Sequence, residues 1–269
     1  MLKKLLKYEV KDTARYMLPL YGLLVVLAVL NRIFIAINLD PNTLAMGLTQ
    51  GLVMTLYIVV AVAVFVITFV LIIYRFYKNL LTDEGYLMFT LPVSTWQHIL
   101  SKMLVAMMWI VASTIVFTLS IFIMVLNGSA LMVMASTIGE IFQAVGSEFG
   151  IAGYFLGFEL LLVFVVNILA EVLHLYFAIT LGQLFNKNRI LAAIGAYVLI
   201  NIVLQILGTI AVFVMSFNIE GLAWQFSNPV DAMPAMIGVL GLFFFIGAAL
   251  SAGCFFGSNY ILKNRLNLE

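Results

Sequence analysis

Six uninterrupted apolar runs dominate this chain, at about Met17–Ile37, Leu52–Tyr74, Met103–Leu126, Ile151–Phe185, Ile190–Phe217 and Ala235–Leu262. Each is at least as long as the ~20 residues an α-helix needs to cross a ~30 Å hydrocarbon core. A loop or open strand in lipid would leave its backbone N–H and C=O groups unpaired, so each run has to be a helix. Composition agrees, with 65% of the 269 residues hydrophobic and 9% charged. A soluble domain carries about 25% charged residues. The expected fold is therefore all-α: a polytopic membrane protein, one transmembrane domain over 1–269 with six spans.

The basic residues set the expected orientation. Lys3, Lys4, Lys7, Lys11, Arg15, Arg75, Lys78, Lys102, Lys187, Arg189, Lys263 and Arg265 fall on one side of a six-span zigzag, and of the 13 Lys and Arg only Arg32 does not. Lys and Arg accumulate in cytoplasmic loops. Both termini, the 75–102 connection and the turn near 186–189 are thus expected inside, and Asp40, Glu140, Glu148, Glu220 and Asp231 outside. No A-x-A-like site follows the first run, which is long enough to span, so it reads as a retained helix rather than a cleaved signal.

Residues 1–16 form their own pattern. At 100° per residue Lys3, Lys4, Lys7, Lys11 and Arg15 share one helix face, while Leu2, Leu5, Leu6, Val10 and Met17 share the other. That predicts an interfacial amphipathic helix along the inner leaflet. Glu9 breaks the pattern from the middle of the apolar face. Two readings stand: the carboxylate snorkels to water or caps a neighbour, or it meets a polar partner beneath the membrane.

The longest inner connection reads TDEGYLMFTLPVS over 82–94. Thr82 is placed to N-cap a short helix, with Asp83 and Glu84 complementing the positive end of its dipole and Pro92 stopping it. Ser94-Thr95-Trp96-Gln97 is an S-x-x-Q capping box that starts the third span. The predicted cytoplasmic helix exposes Tyr86, Leu87, Met88 and Phe89. It reads either as a docking surface for another protein or as a connector partly sunk in the headgroups.

RFYKNLLTDEGYLMFTLPVSTWQHILSKMLVAMMW, residues Arg75–Trp109, resembles the cytoplasmic segment of small ABC-2-type permeases of Gram-positive bacteria. The combination of Asp83-Glu84-Gly85-Tyr86, Leu91-Pro92-Val93-Ser94 and Ser101-Lys102 carries the likeness, and the opening KLLKYEVK and six-span length fit it. The resemblance implies that Thr82, Asp83, Glu84, Gly85, Tyr86, Leu87, Met88, Phe89 and Pro92 form a coupling helix seated on a separate ATPase subunit. It further implies a homodimer working with two ATPase chains in the bacterial plasma membrane, exporting a hydrophobic or amphipathic peptide or a lipophilic drug. ATP and Mg would be bound by the partner. The chain itself has no G-x-x-x-x-G-K-[ST] phosphate loop, so it is not expected to act as an enzyme or to hold a cofactor. No nucleic-acid partner is expected.

Polar groups at membrane depth are the remaining site candidates. Asn167, Glu171 and His174 share one face of the fourth span, and Tyr197, Asn201, Gln205 and Thr209 one face of the fifth. Read together they are interhelical hydrogen-bond glue or the lining of an export path. Glu171-x-x-His174 matches half of a carboxylate-bridged metal motif, but the second half is missing and no metal is expected. Glu159 and Arg32 have similar expected depths, which predicts a buried ion pair, with a snorkelling Arg32 as the competing reading. Gly153-x-x-x-Gly157 and Gly253-x-x-x-Gly257 predict close helix packing, and Cys254, the lone cysteine, reads as a small packing residue. In the longest outer loop, Asn127–Gly150, Thr137-Ile138-Gly139-Glu140 reads as a second capping box ahead of Ile141, Phe142 and Val145, starting a short amphipathic helix on the outer leaflet, with a plain connector at the interface as the competing reading. A self-sufficient secondary transporter or channel is the alternative function. Inverted repeats or broken helices would favour it, and the sequence displays neither.

Overall fold

The computed structural model describes residues 2–36, 44–82, 85, 90, 93–125, 128–185, 188–223 and 233–264. In chain order they form α1 (Leu2–Ala36), α2 (Leu44–Leu81), α3 (Thr95–Val125), α4 (Gly128–Ala144), a π-helical turn (Val145–Phe149), α5 (Gly150–Gly182), α6 (Arg189–Ala223) and α7 (Met233–Asn264). No strand occurs among the described residues. Among the described residues six helical stretches are long and apolar enough to cross a membrane, one for each apolar run. The chain is an all-α polytopic membrane protein. α3 starts at Thr95, where the S-x-x-Q pattern predicts it, and the Gln97 N–H bonds to the Ser94 carbonyl at 2.9 Å.

The helices gather into two compact units, Met1–Asn79 with Leu91–Ser136, and Leu80–Thr90 with Thr137–Glu269. In the first unit α1 packs on α3. Its buried stripe is Glu9, Thr13, Met17, Tyr21, Leu24, Ala28 and Asn31, a three-or-four spacing that keeps one face of the helix inward. Met17, Tyr21 and Leu24 pack with Tyr57, Ala61 and Val64 of α2 and with Val105, Trp109 and Met124 of α3.

Polar side chains run through this apolar seam, and each has a partner. Trp109 Nε1 donates to Thr13 Oγ1 at 2.7 Å, and Thr13 in turn donates to the Glu9 carbonyl at 2.7 Å. The Tyr21 hydroxyl meets Ser113 Oγ at 2.7 Å, Ser113 meets Thr68 Oγ1 at 2.9 Å, and Tyr57 meets Ser120 at 2.8 Å. Asn31 donates across to the Val53 carbonyl at 3.3 Å. Lipid is as apolar as a leucine side chain, so hydrophobic burial does not hold helices together here; packing and hydrogen bonds do, at about 0.6–2 kcal/mol per bond. Ser113 joins three helices. Ser113→Ala should therefore cost about 1 kcal/mol, read as a lower thermal midpoint in detergent with the helix content unchanged. No shift would mean the hydroxyls re-pair at no cost.

Residues 1–16 continue into α1 without a break, through Pro19. Proline has no N–H to give the carbonyl four residues earlier, yet the helix carries on. The basic face is exposed as expected. The apolar face meets protein: Leu6 and Val10 lie against the packed seam, and Met17 is 1% exposed.

The second unit is built on α5, which packs against α6 and α7. Glycines set the approach. A methyl on Gly257 would stand 2.6 Å from Phe177 Cε2, and one on Gly247 would stand 3.2 Å from Val166 Cγ1. The two G-x-x-x-G pairs are only half used, since Gly157 and Gly253 have no neighbour within 4 Å. A small residue helps only where its own azimuth faces the neighbouring helix.

The expected helix near Thr137 starts nine residues earlier, at Gly128. Thr137 is mid-helix, so its capping-box pattern caps nothing. The preceding Ser129-Ala130-Leu131-Met132 segment already propagates the helix.

Candidate functional site

At the lysine-rich end of the first unit the chain assembles a buried ionic node. Lys102 Nζ lies 2.5 Å from Glu9 Oε1, and the side chains are 2% and 9% exposed. Asn79 Nδ2 donates to the same carboxylate oxygen at 3.3 Å. Three helices supply one residue each: α1 brings Glu9, α2 Asn79 and α3 Lys102. Glu9 thus meets polar partners, as the second of its two sequence readings expects, on two other helices. Lys102, counted in the sequence among the charges at the inner surface, is buried in the protein. Its charge is neutralised within the fold, which removes the cost of leaving a lone carboxylate or ammonium in an apolar seam.

A second pair lies alongside. Arg75 of α2 bonds to Asp12 of α1, with side chains 16% and 58% exposed. Partly solvated, it contributes little by itself, about 0–1 kcal/mol. Its value is geometric, because Arg75 and Asn79 sit one turn apart on α2 and Glu9 and Asp12 one turn apart on α1. Together they tie two turns of one helix to two turns of the other. Trp109 and Thr13 continue the same seam on its apolar side.

The node sits at the ends of the helices that flank the 82–94 connection. Asn79 is three residues before Thr82, and Lys102 is eight residues after Ser94. Thr82 is half-buried and Gly85 is buried and helical, and the Gly85 N–H bonds to the Thr82 carbonyl at 2.7 Å. Asp83, Glu84, Tyr86, Leu87, Met88, Phe89 and Pro92 lie outside the described residues.

The other sequence candidates fall in different surroundings. On α5 Asn167 and Glu171 are exposed and His174 is buried; on α6 Asn201 is half-buried and Gln205 exposed. α5 packs against α6, so the helices that carry the two stripes are neighbours. The two asparagines make local hydrogen bonds. Asn167 Nδ2 donates to the Val163 carbonyl and Asn201 Nδ2 to the Tyr197 carbonyl, each at 2.9 Å and each four residues back on its own helix. A short polar side chain in a helix finds that carbonyl without any other helix having to approach.

Arg32 is half-buried on α1 in the first unit, and Glu159 is half-buried on α5 in the second. Glu159 Oε1 faces Gly241 of α7, where a methyl would stand 3.2 Å away, and its Oε2 is buried without a hydrogen bond among the described residues. The glycine leaves room for the carboxyl group.

Sequence reasoning singled out Glu9 but missed its partners and missed the Tyr–Ser–Thr seam. Signals for the seam were present. Trp109, Ser113, Ser120 and Met124 recur at four and seven residues along α3, as do Tyr57, Ala61, Val64 and Thr68 at four and three along α2. Compared with protein-family models, curated proteins and solved structures, the chain matches none.

Proposed function

We propose that the chain is the membrane subunit of an ATP-driven exporter of the ABC-2 type, moving a hydrophobic or amphipathic cargo. ATP and Mg would bind to separate ATPase chains, and the segment Thr82–Pro92 would receive their motion. One observation supports this most: the Glu9–Lys102–Asn79 node. A loop that only connects two spans needs no buried charges at its root. A segment that must transmit force does need its flanking helices locked, because a push on a loose hairpin would be absorbed by local bending.

In this reading a displacement of the 82–92 segment passes to α2 through Thr82, which directly follows Leu81. From α2 it passes to α1 through Asn79 and Arg75, and α1 and α3 move with it because Glu9 holds Lys102. The work is mechanical, so no bond-breaking residue is required of this chain. A cargo path within the membrane could draw on Glu171, the exposed acid of α5, together with Asn167, His174, Asn201 and Gln205.

The test is co-purification from native membranes. An ABC ATPase should come down with the tagged wild-type chain. It should be lost when Asp83, Glu84 and Tyr86 are replaced together, with membrane insertion unchanged. Retention of a fully active ATPase by the triple variant would overturn the coupling assignment. Absence of any ATPase with the wild type would overturn the exporter reading itself.

A further inference from the structure

α4 and the turn after it carry a feature that export does not explain. The apolar stretch Leu131–Gly182 contains 52 helical residues. A straight helix of that length would measure about 78 Å, more than twice the ~30 Å hydrocarbon core. The chain does not run straight. A methyl on Gly153 would stand 2.7 Å from Val145 Cγ1 and 2.9 Å from Phe149 Cβ. The Tyr154 hydroxyl donates to the Phe142 carbonyl at 3.3 Å. Residues eight and twelve apart would be separated by about 12 and 18 Å along a straight axis. The helix therefore folds back sharply between Phe142 and Gly153.

The bend has an identifiable cause. Gly150 has φ 58° and ψ −141°, a conformation open to glycine and strained for any residue with a Cβ. Before it, the π-helical turn Val145–Phe149 shifts the hydrogen-bond register. Tyr154 then closes over the turn, with its hydroxyl 2.8 Å from where a methyl on Gly146 would be. The bend is thus set by backbone conformation and held by a side chain.

The arm beyond the bend is two-faced. Over 134–145, at 100° per residue, Met134, Ala135, Ile138, Ile141, Phe142 and Val145 cover an arc of about 120°, while Ser136, Glu140 and Gln143 lie opposite; the stretch 131–134 before it is apolar all round, with Met132 and Val133 on the Glu140 side. The apolar arc is uncovered: Ile141 is 56% and Phe142 60% exposed. Glu140 is the helix's one charged residue, and it has no lysine or arginine.

We infer that α4 is an interfacial arm lying along the membrane surface opposite the lysine-rich ends, with its apolar arc in the lipid and Glu140 towards water. Its partner is the acyl region of that leaflet. With no basic residue on the arm, anionic headgroups add nothing to its binding, unlike a basic amphipathic helix. This inference is independent of the export reading.

The test uses the full chain in lipid nanodiscs, with Cys254→Ser removing the lone native thiol. Single cysteines placed in turn from 138 to 143 carry a nitroxide label. Oxygen collides with labels in lipid, and a water-soluble nickel chelate with labels in water. The oxygen-to-nickel ratio should be several-fold higher at Ile138, Ile141 and Phe142 than at Glu140 and Gln143, repeating with the helix period. The profile should be the same in phosphatidylcholine as in mixtures with phosphatidylglycerol. Equal, nickel-dominated ratios on both faces would overturn the inference in favour of a solvated arm. Dipolar broadening confined to the apolar arc would overturn it in favour of a second copy, and a profile that needs phosphatidylglycerol would overturn the claim of headgroup indifference. The label at Glu140, on the solvent side, should not disturb folding, which keeps the comparison readable if a label on the apolar arc does.

Discussion

Lys102→Met is expected to destabilise the first unit by about 3–5 kcal/mol, far more than its loss of one hydrogen bond. The reason is what remains. Glu9 Oε1 would keep the Asn79 amide at 3.3 Å but lose the ammonium at 2.5 Å, leaving a carboxylate in a seam where its side chain is 9% exposed. Glu9→Gln leaves the converse, a buried ammonium facing a neutral amide, and should cost a similar amount. Replacing both, as Glu9→Leu with Lys102→Met, removes the two charges together and should recover most of the loss, because a well-packed apolar pair substitutes for a buried ion pair at little cost. Thermal unfolding of the four proteins of this cycle, in one detergent, measures the coupling. Additive losses would show that the two residues do not act as a pair.

Gly182→Ala is expected to cost about 1–3 kcal/mol, whereas Gly253→Ala should be neutral or stabilising by up to ~1 kcal/mol. Both replace glycine in an α-helix, where alanine is intrinsically preferred. The difference is what a new methyl meets. At Gly182 it would stand 2.6 Å from Ala193 Cβ, 2.7 Å from the Arg189 carbonyl oxygen and 2.8 Å from Ala193 Cα. Two of these are backbone atoms at the start of α6, so the clash can be relieved only by moving the helix. The turn has little slack, because Asn188 holds φ at 56° and its carbonyl accepts the Ala192 N–H at 3.0 Å. At Gly253 nothing lies within 4 Å. Gly257→Ala should fall between them, since the atoms it meets belong to the Phe177 ring, which can tilt away. Midpoints ranked Gly182 lowest, Gly257 next and Gly253 highest would support this packing; equal midpoints would refute it.

The sequence by itself determined the spans. Hydrophobicity adds up along contiguous residues, and lipid forces each apolar run to satisfy its backbone internally, so Met17–Ile37, Leu52–Tyr74 and the other runs could become nothing but helices. Helix starts with local chemistry were legible for the same reason, as at Ser94–Gln97. The Thr137 pattern failed because a capping box marks a start only where helix does not already precede it. Tertiary structure alone decided the pairings. Glu9 finds Lys102 across 93 residues, and Tyr21 finds Ser113 across 92. Asn167 and Asn201, which looked no different as polar residues in apolar runs, turn back on their own helices. A span reads as apolar on its lipid face and its protein face alike. The residue pattern therefore does not say how far each helix is rotated or which others it touches, and those rotations decide which polar group is met. The bend at Gly150 belongs to the same class. The glycine permits it, but the contacts of Gly153 with Val145 and of Tyr154 with Phe142 determine which way the chain folds.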